Sequence, residues 1–435
     1  MDIALGFERK LLRRANTLST AAEVVGKPVP DDVELRIDLT GVDTSTASPT
    51  LRVTFDGQAQ DHAAVSALAA GRMPDIEILL DGEVFERGAP MVDNRVFVAA
   101  GTDDVLARAV TLLVKAAKRV AAGDRRTVGP SSAAPRASGF TTAYLTSSVP
   151  RIAREVVRRA RYRYAHWRVG YRFIDGPGVA ETDALGSGWS VLPDDGTHFY
   201  ADPFPFEHDG KHYIFVEDYP HTTGKAVISV STISADGVAG APVPVLEEPH
   251  HLSYPQVFRH GGDLWMLPEG SGSGKLTLYR AERFPDRWVP AAVLLKGAIS
   301  DATLLEHDGH YWLFATDRDG AGSTSDTLVV FHAPALIGPW VPHAQNPILV
   351  DRRRARPGGA FARIGTELIL PVQDGTDGYG GGLGLSRIAR LDESVVELTD
   401  PTPIAAAGDF PYPKMHTLNR AGRLEVIDGI AAVRR

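Results

Sequence analysis

Tyr200-Ala201-Asp202-Pro203-Phe204-Pro205-Phe206-Glu207-His208-Asp209-Gly210-Lys211-His212-Tyr213-Ile214-Phe215-Val216-Glu217 reads as an apolar run, a two-residue turn and a second apolar run. The phrase recurs through the C-terminal part of the chain, with turn glycines at Gly210, Gly262, Gly309, Gly365 and Gly422. These are spaced by 52, 47, 56 and 57 residues. Periods of this size, each unit built on a hairpin, predict a β-propeller.

The repeat also predicts geometry. Asp202, Tyr254 and Asp301 stand 8 residues before their turn glycines, and Glu217, Glu269 and Thr316 stand 7 after. A hairpin returns to its own starting edge. The four acids Asp202, Glu217, Glu269 and Asp301, from three blades, are therefore expected to converge on one mouth of the channel.

From Trp189 onward strand patterns dominate, for example Ala226–Ser231 and Lys275–Arg280, as four-stranded blades require. The last repeat, Met415 to Val433, is too short for a blade. Trp167–Phe173 and Trp189–Leu192 can complete it, which leads to an expectation of five blades. The fold class expected is thus mainly β, a five-bladed propeller over 167–435 with a small N-terminal α/β domain over 1–125.

Within 1–125, Val33–Leu39, Leu51–Phe55, Ile76–Leu80 and Arg95–Ala99 alternate as strands should. Thr102-Asp103-Asp104 can cap a helix running from about Val105 to Ala121. Residues 126–166 read as a linker, rich in Gly, Pro, Ser, Thr and Ala near its start, followed by a basic helix. Residues 150–172 carry 8 arginines against one acid, Glu155. That run reads as a solvated face, or as peripheral contact with an anionic membrane surface or a phosphorylated glycan.

The chain has 435 residues and a formal net charge of −8, which speaks against a nucleic-acid partner. It has no cysteine, which excludes disulfides and thiolate chemistry. Met1 to Arg14 has no signal-type apolar core, and no stretch suits a membrane span; the expected location is cytoplasmic. The weight of Arg, Ala, Gly, Val and Asp is like that of proteins from high-GC bacteria. No cofactor motif is found. The glycines of Gly378–Gly384 lack the strand-before, helix-after setting of a nucleotide fingerprint and read as a loop. No metal site is expected, since His208 and His212 straddle a turn at the outer edge.

An aspartate opening an apolar strand is poorly explained by packing, because a buried unpaired carboxylate costs several kcal/mol. Convergent carboxylates suit glycoside chemistry: one protonates the leaving oxygen, a second attacks or activates water, a third tunes the first. Gln373, Arg356, His416 and Asp428 fall at comparable positions of the later repeats, and Tyr200, Tyr219, Tyr254, Trp265 and Tyr379 can stack on sugars. The alternative is that each acid ties its blade to the next through backbone hydrogen bonds. Arg356 can bind an anion or neutralise the acids; His416 can donate a proton or serve the core.

Together, Trp189–Leu192, Tyr200–Phe204, Phe215–Glu217, His251–Pro255, Pro268-Glu269, Leu278–Ala281, Arg356–Gly359, Gln373-Asp374, Tyr379-Gly380, His416–Asn419 and Ile427–Gly429 make a specific set. Over about residues 167 to 430 they resemble the propeller domain at the N-terminus of plant glucosamine inositolphosphorylceramide transferases. The glycosyltransferase domain of those proteins has no counterpart here. In bacteria such propellers often follow a formyltransferase-like region. Residues 1–125 look like the later part of one, degenerate and without its Asn, His and Asp constellation.

More distantly, the pattern is similar to five-bladed arabinanase- and invertase-like glycoside hydrolases. In the arabinanase-like group the base opens the first blade and the pKa-tuning aspartate the third, which Asp202 and Asp301 match. The acid of that group is a glutamate of the fourth blade, where this chain has Arg356 and Gly358, so Glu269 or Glu217 must replace it. The resemblance thus implies a carbohydrate-active, glycosidase-like protein acting on a glycan or glycolipid. It assigns Asp202 as base or nucleophile, Glu269 as acid and Asp301 as pKa modulator. Glu217, Tyr254, Arg356, Gln373, Tyr379 and His416 would bind substrate. The alternatives are a non-catalytic glycan-binding module serving glycosyl transfer, and a formyl- or acyl-transferase relative.

Overall fold

The computed structural model describes residues 1, 4, 5, 8, 34–39, 48–129, 139–163, 165–319, 322–405, 409–412 and 414–434. Val33 of the first expected strand and residues 130–138 of the expected linker lie outside them. The chain divides into two compact units. The first holds Met1–Arg161, Asp319–Asp326 and Leu349–Asp351; the second holds Tyr162–Arg318, Thr327–Ile348 and Arg352–Arg435.

In the first unit Arg36–Asp38, Thr50–Phe55, Ile76–Leu80 and Glu83–Gly88 form one sheet in that order, the first pair parallel and the rest antiparallel. Helices His62–Ala69 and Val98–Ala121 bury Val65, Leu68, Val105 and Leu112 with Leu51, Ile76 and Ile78 of the sheet. The buried Arg108 guanidinium meets Asp326 at 2.8 Å.

The strand expected at Arg95–Ala99 does not form. Arg95 and Val96 turn, and the helix begins at Val98, so Thr102-Asp103-Asp104 lie inside it. The reason is capping from two sources, one local and one distant in sequence. The Asn94 side chain accepts the N–H groups of Val96 and Phe97, and Glu8, 91 residues away in sequence, accepts that of Ala99 at 2.8 Å. The Thr102 hydroxyl is spent on the Val98 carbonyl at 2.8 Å. Local propensity lost to tertiary contact.

The second unit is mainly β. Strands His198–His208, Lys211–Pro220, Val227–Ile233 and Val243–Leu246 form one antiparallel sheet; Ser253–His260, Asp263–Glu269, Lys275–Arg283 and Arg287–Lys296 form the next. Ile299–His307, His310–Asp317, Thr327–Ala333 and Val341–Pro342 follow. In the following sheet the first strand is split into Arg356–Pro357 and Ala362–Ile364, both paired with Glu367–Asp374, and Gly382–Leu391 and Val396–Leu398 complete it. In the last sheet Leu418–Ala421 and Leu424–Ile430 are joined by Trp167–Phe173 and Ser190–Val191 from the start of the unit.

The hairpin turns explain their own sequence. Asp209-Gly210, Gly261-Gly262 and Asp308-Gly309 all have positive φ at both residues, which is the type I′ turn that matches strand twist. Apolar side chains fill the space between successive sheets. Phe215 and Val230 pack on Val257 and Met266, and Leu267 and Leu278 pack on Leu313 and Val329. Phe314 and Phe361 meet edge to face at 5.0 Å, and Ile369 and Leu385 pack on Leu418 and Ile427. Val169 and Val426 then pack on Ile214 and Val216, which returns to the first sheet. Each such side chain contributes about 1.5–3 kcal/mol on burial. Sheets packed in succession, the last one joining both ends of the unit, form a β-propeller.

Candidate functional site

The first strands of three sheets share one backbone device. Asp202, Tyr254 and Asp301 are left-handed, with φ of 49°, 50° and 46°. Each falls where the strand register slips, between Ala201 and Phe204, Ser253 and Gln256, and Ser300 and Thr303. Such a conformation costs about 1–2 kcal/mol for a residue with a Cβ, so the surroundings must hold it. The holding groups are visible at two of the three. Asp428 Oδ2 accepts the Asp202 N–H at 2.9 Å, and Glu269 Oε2 accepts the Asp301 N–H at 3.0 Å. Glu269 ends the second strand of its sheet and Asp428 lies two residues before the end of its own, and each ties down the opening strand of the next sheet.

The carboxylates of Asp202 and Asp301 are engaged differently. Asp202 Oδ1 accepts the Thr417 hydroxyl at 2.7 Å and faces His416 Nδ1 at 3.7 Å. Its Oδ2 accepts no hydrogen bond from any described residue, although Asp202 is only 4% exposed. Asp301 is clamped. Arg356 donates to both oxygens, at 2.6 and 3.1 Å, and Gln373 donates to Oδ2 at 2.6 Å. Arg356 also lies 3.7 Å from Glu269 Oε2. Glu269 Oε1 accepts the hydroxyls of Ser271 and Ser300 at 2.7 and 3.4 Å.

Burial pushes the Asp202 carboxyl up to about 7; His416 opposes this, and Asp301, Glu217 and Asp428 add to it. Burial likewise raises Asp301, against the pull of Arg356. Burial alone would lower His416, but Asp428 at 2.6 Å and Asp202 outweigh it and bring the imidazole up to about 9. His416 is therefore cationic at neutral pH. Trp167 stacks on it at 3.8 Å, and Tyr379 meets its edge at 5.6 Å. The Arg356 guanidinium lies 5.3 Å from the Tyr379 ring. Tyr379 is 49% exposed, so one aromatic face of the cluster is open.

The cluster thus runs Asp202, His416, Tyr379, Arg356, Asp301, Glu269 by direct contact. Glu217 is held apart from this chain of contacts by an ion pair with the half-exposed His251 at 3.1 Å. Tyr254 is fully buried, its hydroxyl bonded to Thr303 at 2.8 Å and accepting the Gly359 N–H at 2.6 Å. Its ring is closed to stacking and acts as a tie between sheets. Trp265 packs in the core and donates to the His260 carbonyl, at the opposite end of its hairpin from Glu269. Oxygens of Asp202 and Asp428 and a nitrogen of His416 lie within 4.8 Å of one another, and the His416–Asp428 ion pair at 2.6 Å engages two of the three groups with each other.

Sequence reasoning passed over Thr417, Trp167 and His251. Thr417 follows His416 directly, and its hydroxyl was the available signal. Trp167 and His251 become legible only once sheets are stacked.

Residues 191–402 match the family described as glucosamine inositolphosphorylceramide transferase 1, N-terminal. The family match takes in Asp202, Glu269, Asp301 and Arg356 and stops short of His416 and Asp428. Among individual relatives, glucosamine inositolphosphorylceramide transferase 1 of Arabidopsis thaliana is 33% identical over 201 residues, 45% of this chain and 26% of that protein. Its namesake in Oryza sativa subsp. japonica is 34% identical over 200 residues, 45% of this chain and 27% of that protein. The chain thus spans about a quarter of the length of these relatives. Similar solved structures include an alpha-L-arabinofuranosidase of Podospora anserina in complex with cellotriose, at 15% identity and TM-score 0.40, covering 53% of this chain and 80% of that one. A thermostable family-43 glycoside hydrolase is 13% identical, with TM-score 0.39, covering 51% of this chain and 84% of that one.

Proposed function

We propose that the second unit is a five-bladed propeller that acts on a glycan or glycolipid at the Asp202–Asp301 mouth. The observation that carries this reading is the Asp202 carboxylate. It is nearly buried, fixed at one oxygen by Thr417, unpartnered at the other, and raised in pKa to about 7. In a side chain this closed in, the oxygen that no described group claims is the one open to solvent, and so within reach of a ligand. Asp202 serves as base or nucleophile. Glu269, which holds the Asp301 N–H, takes the acid role, and Asp301 with Arg356 sets the local charge. The exposed ring of Tyr379 offers a stacking face for a sugar. The name of the plant relatives points to an inositolphosphorylceramide headgroup as the substrate class to try first. The first unit takes no part in this chemistry; its formyltransferase resemblance is read as an inherited scaffold.

A second reading has its own support. Both oxygens of Glu269 are already taken, by the Asp301 N–H and by two hydroxyls, which leaves neither free to reach a leaving group. That favours a glycan-binding module that cleaves nothing. The deciding experiment incubates the full chain with a panel of glycans and glycolipid headgroups and follows both binding and product. The enzymatic reading expects released or transferred sugar that disappears in Asp202→Asn. Saturable binding without product establishes the module instead. Neither binding nor product across the panel rejects both.

A further inference from the structure

The helix Val149–Arg161 in the first unit contains no buried residue. At about 3.6 residues per turn, Val149, Ile152, Ala153, Val156, Val157 and Ala160 fall on one side. Arg151, Arg154, Arg158 and Arg161 fall on the other. The apolar side is open: Val149 is 45% exposed, Val156 63% and Val157 49%. It continues at its N-terminal end into an apolar groove of about 650 Å³ lined by Phe140, Tyr144, Leu145 and Ile152, with Leu145 62% exposed. Glu155 is the one acid in the helix, and it is paired with Arg158 and Arg159 at 2.7 and 2.6 Å.

We propose that this helix and groove dock on the surface of an anionic lipid bilayer, with the helix lying in the interfacial plane. Three observations select a lipid surface. A contiguous apolar face left open to water on a folded unit marks an interaction site. The helix carries five arginines against one acid in a chain of net charge −8, so its charge opposes that of the whole and complements anionic headgroups. Long arginine stems let the cations reach headgroup phosphates while the valines enter the acyl boundary. The inference stands apart from the carbohydrate reading, because its readout is membrane partition alone.

The test is co-sedimentation of the full chain with phosphatidylcholine vesicles, with and without about one third phosphatidylglycerol. Binding is expected to the anionic vesicles only, and to weaken as salt rises. Val156→Asp with Val157→Asp should lower partition about tenfold or more with unchanged melting, since both positions are exposed. Arg154→Glu with Arg161→Glu should lower partition to anionic vesicles by about tenfold. The proposal is overturned if the wild type binds neither vesicle or binds both equally, or if the valine variant binds as the wild type does. It is also overturned if the helix proves to hold a dimer that the valine variant dissolves.

Discussion

Asp202 and Asp301 begin equivalent strands with the same left-handed backbone, φ 49° and 46°, and each has its N–H held by an acid of the neighbouring sheet. Their side chains have diverged. Asp301 is locked by a bidentate arginine and a glutamine, so its charge is compensated in place. Asp202 faces a cationic histidine at 3.7 Å and keeps one oxygen without a partner. A repeat supplies identical backbone positions. What surrounds each carboxylate decides whether it holds the fold or is left for chemistry.

The comparison breaks most severely at Arg356. Arg356→Ala leaves Asp301 buried with its countercharge gone, and should cost about 3–5 kcal/mol in denaturant unfolding. A loss below about 1 kcal/mol would mean that the clamp is not structural.

A smaller effect sharpens the open side. An acid whose pKa rises on folding holds its proton more tightly in the folded state. The stability that Asp202 lends is therefore complete below its ordinary 3.8 and lost as the pH rises to about 7. His416, raised from 6.5 to about 9, has the same sign in the next window: its contribution is present below 6.5 and lost as the pH rises through about 9. Unfolding free energy followed from acid to alkaline pH should fall across both windows in the wild type. Asp202→Asn should make the first fall shallower, leaving the share of Asp301, which burial raises in the same direction. An unchanged slope there would show that Asp202 titrates like an exposed acid.

The smallest expected effect lies at Glu217. Its partner His251 is 42% exposed at the side chain, so Glu217→Gln should cost no more than about 1 kcal/mol. A larger loss on thermal melting would place Glu217 with Asp428 among the acids that hold the sheets.

Much of the second unit was legible because its turns demand residues that tolerate positive φ, and Gly210, Gly262, Gly309, Gly365 and Gly422 all have it. Counting from those glycines put Asp202, Tyr254 and Asp301 at one edge. The register agrees, pairing Ala201 with Glu217, Ser253 with Glu269 and Ser300 with Thr316. The pairing of Trp167–Phe173 with Leu424–Ile430 was legible by subtraction, since the last repeat lacked strands.

What a carboxylate does with its oxygens was not legible, because its partners come from other sheets. Glu269 meets Asp301, 32 positions on, and Asp202 meets Thr417, 215 positions on. The start of the helix at Val98 was hidden for the same reason, since Glu8 helps hold its N-terminus.

The most direct test is paired equilibrium unfolding of Asp202→Asn and Asp301→Asn near pH 7. The account predicts that Asp301→Asn loses several kcal/mol, about 3 or more, by stranding Arg356, while Asp202→Asn stays within about 1 kcal/mol of the wild type or is more stable. Equal losses in the two variants would mean that both aspartates merely hold the sheets together, and the open oxygen of Asp202 would have no special standing.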